Sequence, residues 1–334
     1  MGLLLFLCID FCETSVINVI KDFKESKLSF WKEICKNDYI SYNKKYKMYN
    51  NKTWTIGGDL EVNRYGYGSM RITGKGIWGE PENENEAIKV LKKAIELGVN
   101  FIDTADSYGP YVSEKLIAKA LYPYPKDLVI ATKGGFDRPG PDKWVMNGRP
   151  EHLKEALEGS LKRLKQEQIS LYQLHRIDPK VPADETIGYL KQAQKQGLIK
   201  HIGLSEVSVD QIKKAQQQIT FVSVQNKYSI SFREWEPVLK FCAENKMAFI
   251  PWNPIIANRL HPDEILKKMA EKYKVSEAQI ILKWLFNHAA NILLIPGTSS
   301  VKHLEENMKA SEIEIEKSDF EEMSASFEKT ASKK

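Results

Sequence analysis

Four polar residues stand where apolar or β-branched runs of this 334-residue chain end: Asp103 in VNFIDTADSYG, with Tyr108 five residues on, Lys133 in LVIATKGG and His175 in ISLYQLHR. A carboxylate, a phenol, an ammonium and an imidazole delivered from successive strand ends form the set needed to protonate a carbonyl oxygen. A free tyrosine, with a pKa near ~10, holds its proton too firmly to exchange it freely at neutral pH. A neighbouring ammonium favours the phenolate and lowers that value, and a carboxylate paired with the ammonium keeps it charged and oriented. On this reading Tyr108 is the general acid, Lys133 its tuner and Asp103 the partner of Lys133. His175 either donates a hydrogen bond to the substrate oxygen or relays the proton. No side chain supplies a hydride, so the set implies a nicotinamide cofactor. Singly, each residue has a plainer reading: Asp103 as a strand-end cap, Lys133 as a solvated rim residue, His175 as a satisfied core histidine. Their joint placement carries the chemical one.

The elements that must position them follow a regular rhythm. A short hairpin is expected in TWTIGGDLEVNRYGYGSMR, around a Gly-Gly-Asp turn. ENEAIKVLKKAIELG places Ala87, Val90, Leu91, Ala94 and Ile95 on one helical face, with Gly98 where a left-handed cap is wanted. Strands and helices then alternate to the end of the chain, giving eight strands near residues 64–70 and from 99, 128, 169, 199, 221, 247 and 292. Runs such as LVIAT and ILLIP are apolar throughout, as parallel strands buried on both faces must be. An open doubly wound sheet would carry a GxGxxG turn after its first strand. The glycines of GYGSMRITGKG are mis-spaced for that, and no helix follows at once. The expected fold is therefore α/β, a (β/α)8 TIM barrel with the N-terminal β-hairpin closing its bottom. A barrel's site lies at the C-terminal ends of its strands, where Asp103, Lys133 and His175 fall.

Composition excludes little but sets the class. The chain is 42% hydrophobic and 28% charged, with a net charge of +5 and no Lys/Arg block, so nucleic acid is not an expected partner. Cys8, Cys12, Cys35 and Cys242 form neither a disulfide framework nor a CxxC pair. That favours a reducing, cytoplasmic setting and leaves no metal site to expect. Residues 1–50 read as an N-terminal extension to a barrel spanning 51–334. The apolar stretch Gly2–Ile9 is stopped by Asp10, far short of a membrane span. It lacks the flanks of a secretory signal, Phe6 breaks the myristoylation pattern, and Leu7 before Cys8 breaks a lipoprotein one. Two readings of the extension stay open: a helical arm or partner-binding tail, or a non-native stretch upstream of a true start at Met48.

The segments FIDTADSYG, ATKGG, LYQLHR, GLSEV, SVQNKYS and IPGTSSVKHLEEN occur in an order and spacing that resemble the aldo-keto reductases, from about Thr53 to the last helix. The resemblance implies an NAD(P)H-dependent reductase with the tetrad Asp103, Tyr108, Lys133 and His175, and nicotinamide bound without a Rossmann motif. NADPH would be preferred, with NADH as the second cofactor to test. Ser205 and Gln225 match positions that hold the nicotinamide carboxamide. Trp252 matches an aromatic under the ring, or else packs at the barrel top. Gly297 to Ser300 open a helix whose free N–H groups favour phosphate. Ser299, Ser300 and His303 match a grip on the adenosine 2′-phosphate, and Glu306 and Asn307 match adenine contacts. Ser300 also reads as a plain N-cap.

Three departures accompany the match. Glu206 replaces a frequent asparagine, Gly297 a basic residue, and His303 an arginine that would hold phosphate more firmly. Trp78 in GKGIWGEP and Trp144 in FDRPGPDKWVMNGRP either line a pocket for a flat carbonyl compound or cover the barrel rim. The short NPIIANRLHP loop argues against a long belt over the cofactor. IWGEP, LYPYPKDL and RPGPDKW are most similar to the branch of bacterial and plant pyridoxal reductases, which makes pyridoxal the leading substrate among small aldehydes and ketones. The alternative is an NADPH-binding regulatory or redox-sensing subunit like those of potassium channels. Oligomeric state is left open.

Overall fold

Alternation of side chains along each strand decides what this molecule buries. In the computed structural model, which describes residues 46–255 and 264–331, seven strands pair side by side, all parallel. They are β3 (Tyr67–Gly68), β4 (Phe101–Asp103), β5 (Val129–Gly134), β8 (Ile169–Leu174), β9 (Ile199–Ser205), β10 (Ser223–Gln225) and β11 (Ala248–Phe249). Their order is β11-β10-β9-β8-β5-β4-β3. The expected eighth strand is not a full ladder member, and it touches both edges of the sheet. Isolated parallel bridges join Ile292 to Phe249 and Leu294 to Tyr65. Backbone bonds run from Leu293 N to Phe249 O at 2.9 Å and from Leu294 N to Arg64 O at 2.8 Å. The two edges therefore meet through this segment.

Phe101, Val129, Ala131, Leu171, Ala248, Ile250, Leu293 and Ile295 form one buried cluster on the inner face. Strand periodicity of two then carries the chain from Phe101 to Asp103, Ala131 to Lys133, Leu171 to Gln173 and His175, and Ile250 to Trp252 on that same face. The hairpin β1 (Thr53–Ile56) and β2 (Leu60–Asn63) is antiparallel, and its Ile56 and Val62 join the inner cluster fully buried. Truncating Ile56 to alanine would cost about 2–5 kcal/mol at such a site. Gly57 turns the hairpin at φ +62, and a Cβ there would meet the His201 ring at 2.3 Å. Glycine is required on both counts.

Helices cover the outside, as the sequence periods predict: α1 (Glu84–Glu96), α2 (Val112–Leu121), α3 (Pro150–Leu164), α4 (Ala183–Lys195), α5 (Val209–Gln216), α6 (Glu236–Glu244), α7 (Glu264–Tyr273), α8 (Glu277–His288), α9 (Val301–Lys309) and α10 (Lys317–Ala331). Ala87, Val90, Leu91 and Ala94 are the buried face of α1, and Gly98 takes φ +84 beyond its end. Capping boxes, Ser208 with Gln211 and Ser276 with Gln279, open α5 and α8. The segment after β5, read from the sequence as a loop, contains a second antiparallel hairpin, β6 (Phe136–Gly140) with β7 (Lys143–Met146).

The chain divides into two compact units, residues 1–47 and 48–334. Of the extension expected over residues 1–50, residues 1–45 lie outside the described residues, and so does most of the NPIIANRLHP loop. Among the described residues no helix is long and apolar enough to cross a membrane. None of their His, Cys, Asp and Glu side chains cluster in threes that could hold a metal.

Candidate active site

The parallel register sets Asp103 beside Ala131, Lys133 beside Gln173, Gln173 beside Gly203 and Ser205 beside Gln225. A ring of polar groups therefore sits at the C-terminal ends of β4, β5, β8, β9 and β10. Lys133 is wholly buried (0% exposed) and donates three hydrogen bonds: to Asp103 Oδ2 at 2.7 Å, to the Thr104 carbonyl at 2.7 Å and to Tyr108 Oη at 3.1 Å. An ammonium has three protons and no lone pair. Its donors are all used, and the phenol oxygen accepts from it, so the Tyr108 proton is free to point elsewhere. The other oxygen of Asp103 accepts from Gln225 Nε2 at 2.8 Å and from Gln173 Nε2 at 3.1 Å.

The electrostatics differ from the sequence expectation at one point. Burial raises the Tyr108 pKa above its ordinary value, and the opposing pull of Lys133 does not overcome it. Asp103 acts in the raising direction as well, and it takes one of the Lys133 bonds, which blunts the effect of that ammonium on the phenol. Tyr108 is thus a neutral phenol rather than a pre-ionised one. Burial pulls the Lys133 value down, but the Asp103 carboxylate and the bonds to Asp103 and Tyr108 carry it above the usual lysine range. His175 is buried (7% exposed), and burial first, then Lys133, Arg176 and Arg138, hold its pKa well below the ordinary histidine value. It is a neutral imidazole, with Nδ1 3.4 Å from Ser107 Oγ. Aromatic edges enclose it: Phe136 at 4.7 Å, Tyr108 at 6.0 Å and Trp144 at 6.3 Å between ring centroids.

A cavity of about 610 Å³ opens over this ring, lined by Tyr108, Phe136, Trp144, His175, Arg176 and Trp252 among others. Asp103, Ser205, Gln225 and Gly297 also reach its wall. Trp144 therefore faces the cavity, while Trp78 stands behind Arg138. The Arg138 guanidinium lies 3.6 Å from the Trp144 ring centre and 5.7 Å from that of Trp78. A backbone bridge pairs Trp78 with Gly109, and Trp78 is not among the residues that line the cavity. A larger cavity, about 680 Å³, lies among Lys52, Tyr65, Lys283 and Asn287 and carries none of the strand-end residues.

The residues matched to a cofactor fall in two places. Ser205, Gln225, Trp252 and Gly297 line the cavity. Ser299 and His303 are exposed, Glu306 is half-buried and Asn307 buried, all on the loop and first turns of α9. Ser300 is the N-cap of α9, its side chain accepting from His303 N at 3.5 Å, so the plain capping role is present. Gly297 abuts Gly68: a Cβ on Gly297 would stand 2.9 Å from the Gly68 carbonyl oxygen.

Sequence reasoning missed several side chains here. Gln173 braces Asp103, and its signal was a polar residue on the inward phase of an apolar strand, two positions before His175. Glu206, noted only as a departure, accepts from Trp252 Nε1 at 2.6 Å and from Lys227 N at 2.5 Å, and so fixes the indole plane. It does so at φ +54, a left-handed conformation. Phe136 and Arg176 line the cavity without having been singled out.

The chain also resembles known proteins along most of its length. A family model described as the Aldo/keto reductase family matches residues 64–328. An uncharacterized oxidoreductase of Schizosaccharomyces pombe is 49% identical over 259 residues, covering 77% of this chain and 84% of its own. Pyridoxine 4-dehydrogenase of Escherichia coli is 38% identical over 272 residues, 80% of this chain and 95% of its own. Among solved structures, the thermostable aldo-keto reductase Tm1743 in complex with the inhibitor epalrestat superposes with a TM-score of 0.72 at 29% identity, over 82% of this chain and 98% of its own. That likeness identifies the sheet and its helices as a (β/α)8 fold. With most of its length matched by the family model, and with these relatives, the chain belongs to the aldo/keto reductase family.

Proposed function

We propose that the protein reduces a small aldehyde or ketone with NADPH, and that Tyr108 is the proton donor. One observation carries the assignment: Lys133 donates to Tyr108 Oη with the last of its three protons, so the phenol must direct its own proton away from Lys133. When bound, the nicotinamide supplies the hydride that reaches the carbonyl carbon. Tyr108 passes its proton to the carbonyl oxygen in the same event. Lys133, held charged and oriented by Asp103, stabilises the phenolate that forms. Neutral His175 donates a hydrogen bond to the carbonyl oxygen, which favours the donor role over the relay.

The donor set fits a dinucleotide. The indole face of Trp252 is flat and apolar, and Ser205 and Gln225 offer a hydroxyl and an amide to a carboxamide. The first turn of α9 offers unpaired backbone N–H groups to phosphate. Ser299, Ser300 and His303 would hold the 2′-phosphate, with Glu306 and Asn307 at the adenine. The hairpin, through Ile56 and Val62, serves as the barrel's lower closure. The barrel would span residues 51–334 after an N-terminal extension, and the cysteine pattern suits the cytoplasm. Pyridoxal is the substrate best supported, because an aromatic cavity suits its ring and a 38% identical relative is pyridoxine 4-dehydrogenase.

The test is NADPH oxidation against pyridoxal and a carbonyl panel, with Tyr108→Phe alongside. Turnover should drop at least ~10²-fold in the variant. Wild-type-like activity in Tyr108→Phe overturns the acid assignment. If NADPH quenches tryptophan fluorescence yet no carbonyl is reduced, the protein is a cofactor-binding sensor instead. Comparable efficiency with NADH overturns the preference for NADPH.

A further inference from the structure

Arg176 follows His175 and stands on the cavity wall with no carboxylate in ion-pair contact among the described residues. Its Nη1 donates to the His175 carbonyl at 2.6 Å and to Ser205 Oγ at 2.9 Å, which pins one edge of the guanidinium. Among the described residues, Nε and Nη2 make no hydrogen bond and no carboxylate closes on them as an ion pair. Other arginines behave differently. Arg138 directs Nε, Nη1 and Nη2 at the carbonyls of Lys143, Ser107 and Gly76, and Arg163 pairs with Glu114 at 2.6 Å. Glu206 is felt by Arg176 across the site without forming an ion pair with it, and its Oε1 accepts from Trp252 and Lys227. Asp103 is held by Lys133. A half-buried guanidinium with open donors beside the ring of Phe136 (5.6 Å), in a cavity that Trp144 and Trp252 also line, asks for an anion carried on something flat. We propose that Arg176 determines substrate specificity by holding an ionised oxygen, a phenolate or a carboxylate, on the ring of an aromatic aldehyde. The inference rests on the reductase reading above and narrows it from carbonyl compounds in general to anionic aromatic aldehydes.

Matched pairs test it: 4-carboxybenzaldehyde against its methyl ester, and salicylaldehyde above its phenol pKa against 2-methoxybenzaldehyde. The readout is the ratio of kcat/KM, anionic over neutral, in wild type, Arg176→Met and Arg176→Lys. Charge-assisted bonds of this kind predict that Arg176→Met lowers the ratio by about 10- to 100-fold, with Arg176→Lys between the two. The pair with the larger loss tells whether carboxylate or phenolate is the better match. Arg71, the other arginine on this wall, packs beside Gly297, and Arg71→Met should leave the ratio where it was. An unchanged ratio in Arg176→Met overturns the proposal. So does an equal loss on both members of a pair together with weaker NADPH binding by fluorescence, because Arg176 would then act on the cofactor through Ser205. If wild type reduces no aldehyde, the reductase reading fails, and benzoate against benzamide binding decides the inference alone. Benzoate must then bind wild type about tenfold or more tighter than Arg176→Met, with benzamide indifferent.

Discussion

Arg64 and Arg176 sit at opposite ends of the parallel strands, and their donors are used in opposite ways. Arg64, fully buried before β3, directs Nε to the Ile292 carbonyl at 2.9 Å, Nη1 to Asn51 O at 2.9 Å, and Nη2 to the carbonyls of Phe286 (2.6 Å) and Ala289. Burial lowers its pKa to about 10, yet every nitrogen has a backbone partner. Arg176 keeps donors open toward a cavity, and Lys133 leaves the Tyr108 proton unclaimed. The difference separates two uses of a buried cation. Where its nitrogens all meet backbone carbonyls it is a clamp. Where they are left incomplete in an enclosed aromatic space, they are available to something that arrives.

Substitutions that blur this contrast should be the most damaging. Lys133→Met removes the counter-charge of Asp103 and the donor to Tyr108 together. It should lower carbonyl reduction at least ~10²-fold and unfolding free energy by about 3–5 kcal/mol, read by single-turnover assay and urea titration. Retained turnover would remove Lys133 from the chemistry. Arg64→Met leaves carbonyls at the other end without donors and should cost about 2–4 kcal/mol. Turnover per folded molecule should stay near wild type, so a loss of activity in the folded fraction would break the division between the two ends.

Asp106 tests the ground just behind Tyr108. Burial and the nearby Glu114 raise its pKa to about 8, and its Oδ1 has no hydrogen-bond partner. Above about pH 4 the unfolded carboxyl carries no proton, while the folded one keeps its proton up to about pH 8. Stability therefore falls as pH rises through that window, at most by about 1.4 kcal/mol per unit. Asp106→Asn should flatten the slope, with a thermal advantage over wild type that grows from pH 5 to 8; an equal advantage at every pH counts against a neutral Asp106. Gly57→Ala, strained at φ +62 and against His201, should cost about 1–3 kcal/mol in denaturant and leave the cavity untouched. The smallest expected change is in the pH profile. With His175 titrating well below its usual range and Tyr108 above its own, kcat/KM should vary less than ~3-fold between about pH 6 and 9. A step near pH 6.5 would mean that His175 titrates in the working enzyme.

Period-two alternation made much of this legible in the sequence. An inward apolar residue followed two places later by Asp103 or Lys133, or four places later by His175 with Gln173 between, marks both a strand and its polar end. The helices were readable for the same reason, since Ala87, Val90, Leu91 and Ala94 repeat with the period of a helix. What stayed hidden depends on contacts between distant segments. Gln173 and Gln225 meet on Asp103 only once β4, β8 and β10 share a sheet. The hairpin β6–β7 was masked by Pro139 and Pro141, which read as breakers although an edge position tolerates proline. The direction of the Tyr108 shift needed two facts no spacing contains: how completely the phenol is enclosed, and that Asp103 takes part of the Lys133 charge. The Glu206–Trp252 bond likewise joins the ends of two strands separated by β10.

The clamp at Arg64 has a further consequence, one of time rather than strength. Its Nε and the Ile292 carbonyl are 228 residues apart in sequence, whereas β4, β5, β8 and β9 meet their neighbours in the order in which they are made. Contacts of such long separation are slow to form, because the intervening chain must be gathered before they reward it. The sheet should assemble first as an open ribbon, and the seam through residues 291–294 should close last. Until then the first and last strands of the ribbon are open edges and Arg64 lacks those carbonyls, so the interval before closure is when the nascent protein is most exposed to misassembly.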